Sequence, residues 1–248
     1  MRFFIELSFN GNNFHGWQIQ PNANTIQAEL NKALSVILKD VILVVGAGRT
    51  DAGVHAKQMF AHFDFEGDVE TEILLTKLNG FLPNDISVHQ IFKVNDNTHA
   101  RFDAVSRTYQ YYITNEKNPF NKNVYLYYQR LNVDAMNLAC KYLLGKQDFT
   151  SFSKLHTQTY TNDCNVIIAN WKQQRNELLF TIKADRFLRN MVRAIVGTLL
   201  EVGEGKMGPK RIKEIIAKKD RSEAGVSVPA HALFITKIEY PENIQTIC

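Results

Sequence analysis

An α+β fold is predicted by three observations on this chain of 248 residues. Apolar residues alternate in some stretches and recur at helical spacing in others. These stretches follow the order β-α-β-β-α-β, and the same order then appears a second time. The two runs meet near residues 96–105 without a low-complexity linker, so two closely packed halves are expected. The length suits that division. With 45% hydrophobic and 22% charged residues, the chain has the composition of a globular protein with enough apolar side chains for a core.

Alternation over residues 2–9 predicts a strand, and Ile26, Leu30, Leu34, Ile37 and Leu38 predict a helix over 25–38. Strands are expected at 41–45 and 58–65, on either side of a glycine-rich loop. A helix over 72–81 ends before Pro83, and 86–94 reads as another strand. In the second run, 108–114 is a tyrosine-rich strand. Residues 133–144 form a helix with Asp134 near its start and Gly145 after its end. Residues 166–173 and 177–184 form a hairpin turning at Arg175-Asn176. A helix over 187–202 carries Phe187, Met191, Ile195, Val196 and Leu199 as its apolar stripe. A short helix starts at Pro209 and runs to Lys219, and a strand over 233–240 closes the chain. This order predicts two tandem ferredoxin-like halves, residues 1–100 and 101–248, sharing a continuous, mainly antiparallel sheet with helices packed on it.

Composition narrows the function classes. The three cysteines, Cys140, Cys164 and Cys248, are odd in number and widely spaced, which argues against a disulfide framework and fits a reducing compartment. Neither CxxC nor HxxxH spacing occurs, so no metal site is expected. The N-terminal MRFFIELSF turns polar too early for a signal peptide, and no apolar run approaches the length of a membrane span. A cytoplasmic protein is expected. The net charge is only +4, but it is unevenly spread: residues 1–100 carry 7 Lys+Arg against 11 Asp+Glu, and residues 101–248 carry 22 against 14. Basic residues concentrate at 186–193 and 206–221. A solvated surface and a phosphate-backbone partner both account for that balance, and charge alone does not choose.

The loop GAGRTDAGVHAKQ, residues 46–58, sets Arg49 and Asp51 among three glycines. A phosphate cradle should lead into a helix and here leads into a strand-like run, with no following GKS or GKT. A tight turn capped by Asp51 and the seat of a catalytic carboxylate both remain open on these residues. The wider sequence bears on that choice. GRTDAGVH (48–55) resembles the signature of the TruA family of tRNA pseudouridine synthases. FNGNNFHGWQIQPNANTIQ (9–27), HARFDAVSRTYQY (99–111), DFTSF (148–152), FLRNMVRAIVGTLLEVG (187–203) and PAHALFI (229–235) also resemble family segments, in order and over nearly the whole chain. Two positions depart from the pattern. Ala232 stands where the family usually has glycine, and Cys164 where many relatives carry a basic residue.

The resemblance implies an isomerase that acts without a cofactor or metal. Its substrate would be uridine on the 3′ side of the tRNA anticodon stem-loop, at tRNA positions 38, 39 and 40. It implies a homodimer with RNA lying across both subunits, and a catalytic cleft between the two halves. Asp51 takes the role of catalytic carboxylate, attacking ribose or base or assisting departure of the base. Burial disfavours a charged carboxylate unless a cation opposes it, and the resemblance assigns that cation to Arg193. Without the resemblance, Arg193 reads as a solvated helix-face residue one turn from Arg189. Arg49 is assigned to the RNA backbone and to holding the target nucleotide out of its helix. Tyr109 is assigned to stacking on the flipped base, although alternation puts Tyr111 on the same face. Leu233 is assigned to the apolar side of the pocket, where its spacing also suits an ordinary core residue. Two other classes compete. One is a non-catalytic RNA-binding protein, although the aromatic and glycine-rich signatures of RNA-recognition modules are missing. The other is a glycosidase-like hydrolase pairing Asp51 with Asp64 or Glu66.

Overall fold

The structure, a computed structural model, describes residues 1–154, 160–242 and 244. The chain divides into two compact units, Met1–Val105 with Phe234–Cys248, and Ser106–Leu233. Each unit is a mixed α+β body on a mainly antiparallel sheet, in keeping with the predicted fold class.

In the first unit, strand β1 (Arg2–Phe9) lies between β3 (His55–Asp64) and β4 (Ile86–Val94), antiparallel to both. Phe3, Phe4, Ile5 and Leu7 are all buried, so β1 is covered on both faces as a central strand should be. Strand β10 (Leu233–Glu239) pairs in parallel with β3, setting Phe234 against His55 and Ile235 against Ala56. Helices α1 (Ile26–Leu38) and α2 (Thr71–Phe81) supply the rest of the core. Thr25 caps α1, its hydroxyl accepting from the Ala28 amide at 3.3 Å. Such a cap contributes about 1 kcal/mol. Asn79 ties α2 to β4 by both donating to the Val88 carbonyl and accepting from its amide, each at 2.8 Å.

The strand expected at 41–45 is reduced to β2 (Val45–Gly46), paired with β3. Side chains of α1 take the backbone groups that a strand would have used. Ser35 accepts from the Ile42 amide, Asn31 accepts from Val44, and Gln27 donates to the Val44 carbonyl. Satisfied in this way, the segment needs no sheet partner.

In the second unit the sheet runs β5 (Ser106–Thr114), β9 (Glu177–Ala184), β8 (Asp163–Gln174), β7 (Gly145–Asp148), all antiparallel, with β6 (Tyr125–Leu126) added in parallel to β5. The β8–β9 hairpin turns at Arg175, whose φ of 50° is left-handed. Helix α3 (Val133–Cys140) is shorter than expected. It tightens into a 3-10 turn at Lys141–Leu143, and Gly145, at φ +88°, then starts β7. Helix α4 (Met191–Gly203) packs on α3, where Gly203 permits the approach: a Cβ there would lie 2.6 Å from the Met136 sulfur. The last helix is α5 (Arg211–Lys218).

Helix α4 begins four residues later than the apolar spacing predicted. Asn190 sits at φ 66°, a conformation that ends a helix instead of continuing one, and its side-chain Nδ2 donates to the Ser227 hydroxyl at 2.6 Å. Phe187 and Arg189 are therefore loop residues, and Arg189 is not one helical turn from Arg193. Cys164 is a buried residue of β8, opposite Gln147 of β7, and burial pushes its thiol up to about 12.

Candidate active site

The loop carrying Asp51 leaves the sheet after Ala47, whose amide still bonds the Phe60 carbonyl at 2.8 Å, and rejoins it at His55. What holds it is the segment following β1. The Trp17 amide donates to the Thr50 carbonyl and the Gly53 amide to the Phe14 carbonyl, both at 3.3 Å. The Gly11 amide donates to Nδ1 of His55 at 3.0 Å. Phe14, Trp17, Val54 and His55 are all buried. Across the loop base, the Val54 amide donates to the Asp51 carbonyl at 3.2 Å.

Two glycines make this approach possible. A Cβ on Gly11 would lie 2.0 Å from the Val54 carbonyl oxygen, and one on Gly16 would lie 2.3 Å from that of Thr50. Gly16 also sits at φ +88°, where a side chain is strained whatever the space. The backbone of 11–17 therefore packs directly on the backbone of 50–54. Gly16→Ala should lower stability by about 1–3 kcal/mol and displace the Asp51 loop. Thermal melts and turnover measured on the same preparation check this, and an alanine variant that melts and turns over like wild type would show that the close contact is dispensable. Within this frame Asp51 is half-buried and Arg49 is exposed.

The glycine and aromatic pattern of 9–27 was visible in the sequence, but nothing in it indicated which loop those residues hold. His55 was equally visible in GRTDAGVH and carries a positioning hydrogen bond that spacing alone does not reveal. Its ring also stacks on Phe234 of β10 at 4.5 Å.

The second unit carries Tyr109, Arg193 and Leu233. Tyr109 and Tyr111 share a face of β5, and the structure separates their duties. Tyr111 is fully buried and its hydroxyl donates to the Pro229 carbonyl at 2.9 Å. Burial pushes its phenol well above the ordinary tyrosine range. Tyr109 is half-buried, and its ring meets Phe187 edge-on, with centroids 5.0 Å apart and planes at 79°. The loop placement of Phe187, outside α4, is what brings the two rings together.

Arg193 lies in the first turn of α4, half-buried, with Nε donating to the Val228 carbonyl at 2.7 Å. The Val228 amide donates in return to the Arg193 carbonyl at 3.3 Å. Gly197 continues the seam: a Cβ there would lie 1.8 Å from the Val226 carbonyl oxygen. The chain then makes a 3-10 turn at Ala230–Ala232 and enters β10 at Leu233, which is buried. Ala232 is buried there without a positive φ, a backbone alanine adopts as readily as glycine. Among the described residues, no group of three or more His, Cys, Asp or Glu is arranged to hold a metal ion, and no helix is long and apolar enough to cross a membrane.

The first unit thus presents one carboxylate on a braced loop, and the second presents a half-buried tyrosine and a half-buried arginine. A family model described as tRNA pseudouridine synthase matches residues 7–103 and 139–241. The chain belongs to that family, a family of isomerases. It is 54% identical over 245 residues to the tRNA pseudouridine synthase A of Parabacteroides distasonis, covering 98% of this chain and 97% of that protein. It is 52% identical over 247 residues to the protein of the same name from Bacteroides thetaiotaomicron, covering 98% and 92%. With the Bacillus subtilis protein of that name it shares 40% identity over 245 residues, covering 97% and 99%.

Proposed function

We propose that this chain converts uridine to pseudouridine in tRNA, on the 3′ side of the anticodon stem-loop, with Asp51 as the catalytic carboxylate. The observation that carries this reading is the Asp51 loop. A half-buried carboxylate stands in a loop whose backbone is held by Phe14, Trp17 and His55, in a chain that belongs to the tRNA pseudouridine synthase family.

The reaction breaks the bond between uracil N1 and ribose C1′, turns the base, and joins C5 to C1′. The proton that C5 gives up is matched by the one N1 gains, so no redox partner or triphosphate is consumed. Such chemistry calls for a preorganised carboxylate, a surface to hold the turning base, and shelter from water. In this proposal Tyr109 stacks on the flipped base, which its partial exposure permits. Leu233 lines the apolar side, and Arg193 favours the ionised form of Asp51. Arg49, exposed beside Asp51, contacts the RNA backbone and keeps the target nucleotide extruded. The enzyme acts as a cytoplasmic homodimer with the RNA across both subunits.

One assay separates this reading from its competitors. Incubation with uridine-labelled tRNA should yield pseudouridine. Free uracil would indicate a hydrolase, and unchanged uridine despite tight binding would indicate an RNA-binding protein.

The basic balance after residue 100, 22 Lys+Arg against 14 Asp+Glu, predicts a steep salt dependence. Each phosphate neutralised on a duplex contributes a slope of about −0.9 to the plot of log affinity against log salt. A slope of several units is expected from titrations at several salt concentrations. A flat plot would sink the basic-surface part of the proposal.

A further inference from the structure

Between β4 and β5 the chain makes a tightly braced turn, residues 98–105, that holds one large apolar side chain out to solvent. Phe102 is 73% exposed. The turn beneath it is fixed from several sides. His99 Nδ1 accepts from the amides of Arg101 and Phe102 at 3.0 and 3.3 Å. The Asp103 carboxylate accepts from the His99 amide at 2.7 Å, and the Asp103 amide donates back to the His99 carbonyl at 3.1 Å. The Ala100 amide donates to Nδ1 of the buried His62 at 3.1 Å, and the Tyr240 hydroxyl donates to the Ala100 carbonyl at 2.5 Å. Arg2, itself paired with Asp64, donates to the Thr98 carbonyl at 2.9 Å.

Rings form a ladder out of this frame. His62 meets His99 with centroids 4.7 Å apart, and His99 meets Phe102 at 4.2 Å with planes 35° apart. Phe102 is the outer rung. The Arg101 guanidinium stands over the same ring, 5.7 Å from its centroid. Burial, with Arg2 adding to it, pushes His62 down to about 4, so the inner rung is a neutral acceptor at neutral pH.

We propose that Phe102, backed by His99 and flanked by Arg101, is a stacking platform for an unpaired nucleobase of the RNA substrate. This platform depends on the proposed function only in taking RNA as its partner. An exposed phenylalanine ordinarily gains nothing from being held in one orientation, and here at least six hydrogen bonds fix the turn that holds it. Its neighbours Arg101 and Asp103 are exposed and charged. A protein partner needs a contiguous surface on the order of 1,000 Å², whereas a base needs only a flat stacking surface, which the exposed ring and the guanidinium over it supply. The platform reads no sequence by hydrogen bonding, because every base offers the same flat face.

Binding of a full tRNA transcript to the full-length protein tests this. Phe102→Ala should weaken affinity by about 5- to 150-fold, the range for loss of one base–aromatic stack. Phe102→Trp should restore it, and Phe102→Leu, apolar but without a π-face, should not. A fully paired RNA duplex, which offers no free base, should bind wild type and Phe102→Ala alike. The proposal is overturned by an alanine variant of unchanged affinity, by rescue with leucine, or by an equal loss on the duplex. It is also overturned if Phe102→Ala alters the oligomeric state in sedimentation, which would make the ring a protein contact. Melting curves show whether each variant is folded, and a 73% exposed side chain gives little reason for collapse. Pseudouridine formation by wild type on the same transcript is a separate readout. Its absence would sink the functional reading while the binding comparison still decides the platform.

Discussion

Asp51→Asn should fold, bind tRNA with near wild-type affinity, and make no pseudouridine above a trace. Asparagine has almost the shape of aspartate and is neutral, so it leaves the loop packing intact and removes the one chemical property the reaction requires. Several contacts that hold the loop are made by other residues. They are the Trp17–Thr50 and Gly53–Phe14 backbone bonds, the Gly11–His55 bond, and the close approach of Gly16 to the Thr50 carbonyl. The substitution therefore separates chemistry from architecture more cleanly than most. Losing a nucleophile or its equivalent commonly costs several orders of magnitude in rate. The measurement is single-turnover conversion of labelled uridine in tRNA, with binding and a thermal melt on the same preparation. Substantial pseudouridine from a pure, folded variant would remove Asp51 from the mechanism. Loss of binding together with turnover would make it an RNA contact.

How far the sequence anticipated these results depends on what kind of interaction forms each element. Strands and helices built on apolar periodicity came through with nearly correct bounds, among them β1, α1, β4 and β9. Where polar side chains decided the backbone, periodicity misled. Ser35, Asn31 and Gln27 satisfy the 41–44 backbone from α1, so most of a plausible strand does not form. Asn190, in a left-handed conformation, stops α4 short of Phe187, although Phe187 fits the helical stripe well. The pairing of β10 with β3 joins residues nearly 180 positions apart, and no local pattern encodes it. At the site, the motif residues were legible but their supports were not. Gly11, Gly16 and His55 act through contacts with residues distant along the chain, and a string of letters does not display distance. The two tyrosines of β5 show the same limit. Alternation made them equivalent, whereas burial and the Pro229 carbonyl, which takes the Tyr111 hydroxyl, set the core residue apart from the half-exposed one.

Replacing Arg193 with methionine should reduce turnover strongly and move the acid side of the activity profile to higher pH. In the proposed function, the Arg193 charge favours the ionised form of Asp51. A nearby cation stabilises a carboxylate, and its removal lowers the ionised fraction at mildly acidic pH. Activity that depends on the carboxylate then begins to fail at a higher pH than in wild type, while the alkaline side is unaffected by this cause. Methionine keeps much of the apolar stem, so packing in the first turn of α4 should largely survive. A second effect comes from the structure: Arg193 Nε donates to the Val228 carbonyl at 2.7 Å, and methionine cannot. Loss of a hydrogen bond from a charged donor costs about 1.5–3 kcal/mol, and it would loosen the turn leading to Leu233. A fall in melting temperature is therefore expected alongside the kinetic change and must be measured at every pH used. Arg193→Lys discriminates between the two effects. Lysine keeps the charge but loses the planar, forked geometry, so it should restore the position of the acid limb more fully than it restores stability. Single-turnover rates against pH for wild type, Arg193→Met and Arg193→Lys decide the matter. If the acid limb of the methionine variant stays where it is in wild type while the protein remains folded, Arg193 does not govern the ionisation of Asp51. Its role then reduces to holding Val228 against the start of α4.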